Sequence, residues 1–478
     1  MSRLLGIRDL PDSHMTIRLF NRTWLTYVNP LQCVSSQSDL RGYDRMESLL
    51  TILKCRWWLF LAKKEHERKN YAAALNLVQK VVEIEPSSPL ALVREGACLK
   101  GLKRYNEAID CYERALQIVP NYAEAHAFLS VALRDLGRNK EALEYLNRAI
   151  RIKPGLAKSE LWLYHLGHIC AAMNQWDKAL AAFTSLTELN NKHVDGWHGV
   201  GWAESKLDRS AEAVAAYEHA AKLAPQDAGV QTDLGVAYLE TGRPREGLEC
   251  LQRAKEIEPD DAQRHFNVCC AYCELGDFDA ALTSISEALK LDPKLEDGNL
   301  RLGFVFSKLG RYVDAVEVIK RGISIHPRNG ELYVALAQYA QQLGQLAEAL
   351  GSAKEATRLM PDSAAAYFNL GWVLQSQDND DHAIAAYKKS IELDPGQVNA
   401  YANLGQIYME RGLNEDALDV LLIAERLDPK DVIHHFNLGE VYIRLGEKGR
   451  AQEELQTLKE IDASMANDLE KLMNASPL

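Results

Sequence analysis

Along most of the chain, apolar residues recur every three or four positions, in two short runs separated by a polar turn. Residues 398–431 show the unit. Tyr401, Leu404, Gly405 and Tyr408 share one face of a helix with 3.6 residues per turn. A turn follows at Gly412 and Asn414, and a second stripe runs through Ala417, Leu421 and Ala424. Pro429 falls in the loop after that stripe, where its missing N–H costs little. The pattern predicts a helix–turn–helix hairpin. One hairpin cannot bury its apolar face alone, but stacking on copies of itself buries it.

The copies are marked by proline. It occurs at Pro86, Pro120 and Pro154, each 34 apart, and again at Pro225, Pro259, Pro293, Pro327, Pro361, Pro395 and Pro429. Ten of the 15 prolines thus share one phase, so the period is not accidental. With that slot numbered 32, position 20 is Ala in every repeat except one, where it is Gly247. Position 8 is small throughout: Gly in eight repeats, and Ala62, Ser130, Cys269 and Ala337 in the others. Small residues at both positions let the two helices of a hairpin approach closely. Twelve repeats cover 55–463. The expected fold is all-α, a right-handed α-α superhelix of about twelve stacked helix-turn-helix repeats.

The phase also sets boundaries. Residues 1–54 do not repeat; Pro11, Pro30 and the polar run Ser35–Ser38 suggest an irregular or partly disordered lead-in. Repeats 1–3 span 55–154. A three-residue insertion near Gly155–Ser159 shifts the register, so Asn191 takes the proline slot of repeat 4. Repeats 4–12 then span 155–463. Gly247 at position 20 and Pro244 at the start of a second helix mark repeat 6 as a weaker copy. In 464–478, Met465, Leu469, Leu472 and Met473 form an apolar stripe on a polar segment, expected to be a capping helix and tail.

Composition narrows the function. The formal net charge is -12, which argues against a nucleic-acid protein. The lead-in runs the other way, with seven basic against five acidic residues in 1–54. Nine cysteines without framework spacing are expected to be reduced thiols. No secretory signal or 18-residue apolar run is evident, so a cytoplasmic location is expected.

The pattern resembles the tetratricopeptide repeat, whose signature is a large residue at position 4, Leu at 7, Gly at 8, Tyr at 11, Ala at 20 and 27, a large residue at 24 and Pro at 32. Residues 398–431 match with Tyr401, Leu404, Gly405, Tyr408, Ala417, Leu421, Ala424 and Pro429. Trp58 and Trp197 fill position 4 in other repeats. The resemblance implies a protein-binding scaffold or adaptor without catalysis or cofactor, whose first helices line a concave groove with position 6 pointing into it. Position 6 holds Asn267, Arg301, Asn369, Asn403 and Asn437 in the second half. An Asn amide can pair with both the N–H and the C=O of an extended peptide. The spacing is similar to the asparagine ladder of the protein O-GlcNAc transferase superhelix. Trp202, Phe304, Trp372 and Gln406 at position 9 add anchors.

Competing chemistry is weaker. A carboxylate clamp would need Asn267 and Arg301 plus further slots, and those hold Thr232, Val236 and Asp297. His265, Cys269 and Cys273 share a helix face, but positions 4 and 8 are packing positions, so no metal is expected. Trp57 and Trp58 beside Arg56, Lys63, Lys64, Arg68 and Lys69 suggest a membrane-surface contact, although Trp58 sits at a packing position. No phosphate loop, GxSxG or HExxH is present. The expected partner is a protein or peptide, with no nucleic acid and no small-molecule substrate. Two other readings remain: a self-assembling homo-oligomeric scaffold, and an accessory factor of a membrane-associated secretion or polysaccharide apparatus.

Overall fold

The computed structural model describes residues 37–295 and 297–475, with side chains from Leu50 onward. Among them are 25 α-helices, one 3-10 segment and no strand. No described helix is long and apolar enough to cross a membrane. The chain divides after Gln175 into two compact units. Each unit is a run of antiparallel hairpins in which consecutive helices pack side by side.

The turn inside each hairpin follows one rule. Position 15 has positive φ in all twelve repeats: seven times as glycine, and five times as Lys69, Lys103, Asn174, Asp208 and Asp378. The next residue's N–H reaches back five residues to a carbonyl, as Leu413 does to Tyr408 at 2.9 Å and Arg104 to Leu99 at 2.9 Å. This is the left-handed helix stop that caps otherwise orphaned carbonyls. The next hairpin starts on a side-chain cap in many repeats. Asp227, Asp261, Asn329, Ser363 and Asp431 each accept a backbone N–H of the helix they precede.

Inside a hairpin, helices meet at positions 8, 20 and 24. The position-20 alanines are buried, and a Cβ added to most of the position-8 glycines would strike the position-24 side chain. At Gly371 it would stand 2.7 Å from the Tyr387 ring, at Gly405 2.6 Å from Leu421. Repeat 6 carries glycine at both positions, and a Cβ on Gly247 would lie 2.8 Å from the Gly235 carbonyl oxygen. Its helices therefore approach backbone to backbone. Pro244 opens its helix at the first turn, where proline is well accommodated. Repeat 6 is tighter rather than weaker at this contact.

A link between repeats runs through position 4. Its side chain often bears a donor that reaches the carbonyl of the preceding proline slot. His126 Nε2 donates to Pro120 at 2.9 Å, His435 Nε2 to Pro429 at 3.0 Å, Gln231 to Pro225 at 3.3 Å and Trp197 to Asn191 at 2.9 Å. The carbonyl of the loop is thereby satisfied and the loop tied down.

The ends differ from the expected boundaries. The first helix is Gln37–Glu67, so 37–54 of the lead-in is helical; 1–36 lie outside the described residues. No proline follows Pro30 until Pro86, and Leu, Arg, Glu and Met favour helix there. Trp58 packs against Cys55, Val81 and Ala91, in line with its packing position. The three-residue insertion falls at a 3-10 segment, Pro154–Lys158, that buries Leu156. The last helix, Ala463–Ala475, buries Ala466 and Leu469, and Leu469 fills the space beside Gly439. Leu472 stays exposed and does not join the seam.

Two outcomes follow for stability. Gly412→Val places a β-branched residue at positive φ and should cost about 1–2 kcal/mol, whereas Lys103→Gly should gain roughly 1 kcal/mol; urea unfolding followed by circular dichroism reads both. Gly371→Val should push the Tyr387 ring aside and cost about 1–3 kcal/mol by the same measurement.

Candidate functional site

Which face is available follows from which helices touch. In the second unit, consecutive first helices pack on one another: Gly298–Lys308 on Gly330–Gln342, that helix on Ala364–Gln375, and Val398–Glu410 on Val432–Leu445. Consecutive second helices make no comparable contact. First helices therefore line the tighter, inner side.

On that side lies an open recess of 460 Å³. Phe368, Trp372, Tyr339 and Tyr312 supply aromatic surface, and Gln338, Asn369, Asn399 and Asn403 supply amides. Lys308 is the one charged residue among the lining groups, and no carboxylate is among them. Aromatic walls with a few amides suit an extended peptide: stacking holds side chains, and amides pair with the backbone.

The expected residues fall into three sets. Asn369, Asn403 and Trp372 line the recess. Asn369 is buried, and its amide is already engaged: Nδ2 donates to Ala365 O at 2.8 Å, and Oδ1 accepts from Gln338 at 2.7 Å. Asn403 Nδ2 donates to the Tyr387 hydroxyl at 3.0 Å, which donates on to Gln375 at 2.7 Å. These amides form the floor of the recess.

Asn267, Arg301 and Phe304 make a second set nearby in sequence. The Arg301 guanidinium lies over Phe266 at 5.8 Å and Phe304 at 5.7 Å, and Gln263 donates to Asn267 Oδ1 at 3.0 Å. The remaining residues lie apart from the recess. Asn437 is half-buried on Val432–Leu445. Gln406 is exposed and donates to Glu410. Trp202 packs edge-on against Trp176 at 5.1 Å.

Sequence reasoning passed over Gln338, Asn399 and Tyr339. Gln338 sits at position 9, the same phase as Trp372, so its position was available as a signal. Asn399 sits at position 2, and only packing brings it to the recess.

The His/Cys group does not converge. His265 Nε2 turns to the Pro259 carbonyl at 2.8 Å, the same link that other repeats use. Position 4 is thus a loop tie here, not only a packing position. Cys269 is fully buried. A hydrogen bond from Cys269, outweighing the effect of burial and aided by Arg301, holds the Cys273 thiol below its usual range. Among the described residues, no group of three or more His, Cys, Asp or Glu is arranged around a metal position. Elsewhere on the first helices, His198 Nε2 pairs with Asp233 at 2.6 Å across adjacent repeats. Burial pushes His198 down, but the Asp233 hydrogen bond and charge win and raise it.

Family models match along most of the chain. Tetratricopeptide-repeat family models match residues 88–154, 164–228, 207–265, 334–398, 386–419 and 435–465, and a TPR-repeat model matches 271–310 and 405–446. Similar solved structures include a chain of the APC/C hetero-tetramer Cut9-Hcn1, 15% identical over 89% of this chain and 97% of that chain, with a TM-score of 0.46. Yeast Tom70 is 16% identical over 88% of this chain and 95% of that chain, with a TM-score of 0.46. MamA is 29% identical over 34% of this chain and 95% of that chain, with a TM-score of 0.31. No curated protein matches. Tetratricopeptide repeats bind protein or peptide partners and are typically non-catalytic scaffolds. With the 34-residue phase, the left-handed turn at position 15, the small-residue contact at positions 8 and 20 and matches to the family models along most of its length, this chain belongs to the tetratricopeptide-repeat family.

Proposed function

We propose that the chain is a non-catalytic adaptor that holds an extended segment of a partner protein against the first helices of repeats 8–11. The carrying observation is the recess that joins Phe368, Trp372 and Tyr339 to an amide floor. The anchor is an apolar or aromatic side chain of the partner, stacked on Trp372 and Phe368. Asn369 is committed to Gln338, so it fixes the floor rather than meeting the peptide first. Asn399 and the side-chain Oδ1 of Asn403 take the backbone of the bound segment in this reading.

Charge refines the partner. The chain as a whole is acidic, which favours basic partners at long range. The recess itself presents Lys308 and no carboxylate, so the docked residues are neutral or acidic. The test begins with affinity capture on the full chain and mass spectrometry. Binding of the captured partner is then measured by calorimetry. Trp372→Ala should weaken it at least about tenfold, or roughly 1.4 kcal/mol, with helical content and melting unchanged. Lys308→Glu should weaken it further. Equal affinity of all three proteins would remove this recess as the binding site.

A further inference from the structure

The first unit contains a second recess, of 360 Å³, on its own first helices. Its walls are mainly apolar, with Val78, Leu90, Val93 and Phe128 among them. One side chain there does not fit a purely structural account. Arg94 lines the recess from position 6 of repeat 2, the phase that carries Asn in repeats 10–12. Its Nε is buried and has no hydrogen-bond partner.

The neighbouring carboxylates do not neutralise it. Glu67 pairs with Lys63 at 3.7 Å, and Glu124 with Lys153 at 2.7 Å. Farther along, Asp135 is shared by Arg134 at 2.6 Å and Lys100 at 3.9 Å. The contrast with other arginines is sharp. Arg104, Arg138, Arg243 and Arg311 each grip a carboxylate three residues ahead, at 2.5 to 2.7 Å. His66, also in the recess, is held below its ordinary value by burial first, then by the charges of Lys100 and Arg94. The site thus holds one guanidinium that makes no ion pair, beside apolar walls. A half-buried guanidinium with an unmet donor is costly, and a carboxylate is its best partner in both charge and fork geometry.

Three constraints define the occupant. One free cation calls for one negative charge, and Glu67 and Glu124 at the rim repel a second. The apolar walls call for an apolar body, which a bare inorganic anion lacks. The volume suits a small molecule, since such sites run from about 300 to 1,000 Å³. We propose that this recess binds a small monocarboxylate with an apolar body. The carboxylate sits on Arg94, and the body lies against Val93, Val78 and Phe128. This site is separate from the peptide recess of the second unit and stands or falls independently of it.

Decanoate, below its aggregation limit, is the probe for calorimetric titration of the full chain. One saturable site per chain is expected. Decanol, which lacks the charge, and acetate, which lacks the body, should each bind at least about tenfold more weakly. Arg94→Gln should lose decanoate affinity by a similar factor while keeping its helical content. Leu90→Trp is a second variant: Leu90 is exposed on the rim, so the substitution blocks the recess without disturbing the core, and it should also abolish binding. Decanoate binding that does not saturate, or that is equal in the parent and both variants, would overturn the proposal. So would a short peptide with a free Leu carboxylate that binds more tightly than decanoate and loses affinity on amidation, because the site would then belong to a chain terminus.

Discussion

Everything in this protein depends on two helices approaching closely enough to admit only small residues where they meet. At positions 8 and 20 the spacing leaves no room for a further side chain, and a Cβ on most position-8 glycines would collide with the ring or branched chain at position 24. That contact makes the hairpin a rigid block. Its outer faces are then apolar ridges that only another hairpin can cover. Stability is consequently a property of neighbours rather than of any single repeat. The final helix, with Leu469 beside Gly439, ends the series by supplying one apolar face and one polar face.

The contact also sets which residues are free to carry function. Positions 8, 20, 24 and 27 are committed to packing. The left-handed turn takes position 15, and in several repeats position 4 ties down the proline loop. Positions 2, 6 and 9 of the first helices remain on the inner side. The two units spend them differently. In the second unit they carry amides and aromatics, a surface suited to peptide backbone. In the first, position 6 carries Phe60, Arg94, Phe128 and His165, and Arg94 and Phe128 line an apolar recess. The scaffold is the same and the surface chemistry is not, which is how a repeat family supports many partners.

The sequence by itself determined the repeat. A 34-residue phase in proline, alanine and glycine is a steric statement, because those residues are set by backbone geometry and close packing, which act locally and leave the same mark in every copy. The hairpins followed from it, whereas the inner face and the groove positions came from the resemblance to the tetratricopeptide repeat. What only the tertiary structure decided is where side chains with several choices go. Asn369 was readable as a groove residue, but its capture by Gln338 and Ala365 depends on a neighbouring repeat. His265 was readable as near two cysteines, yet the carbonyl of Pro259, six residues back, is the acceptor it reaches. Arg94 shares its phase with the groove asparagines, but only packing leaves its Nε buried without a hydrogen-bond partner. Polar side chains select partners by distance across repeats, and a periodic sequence records the spacing of backbones rather than those distances.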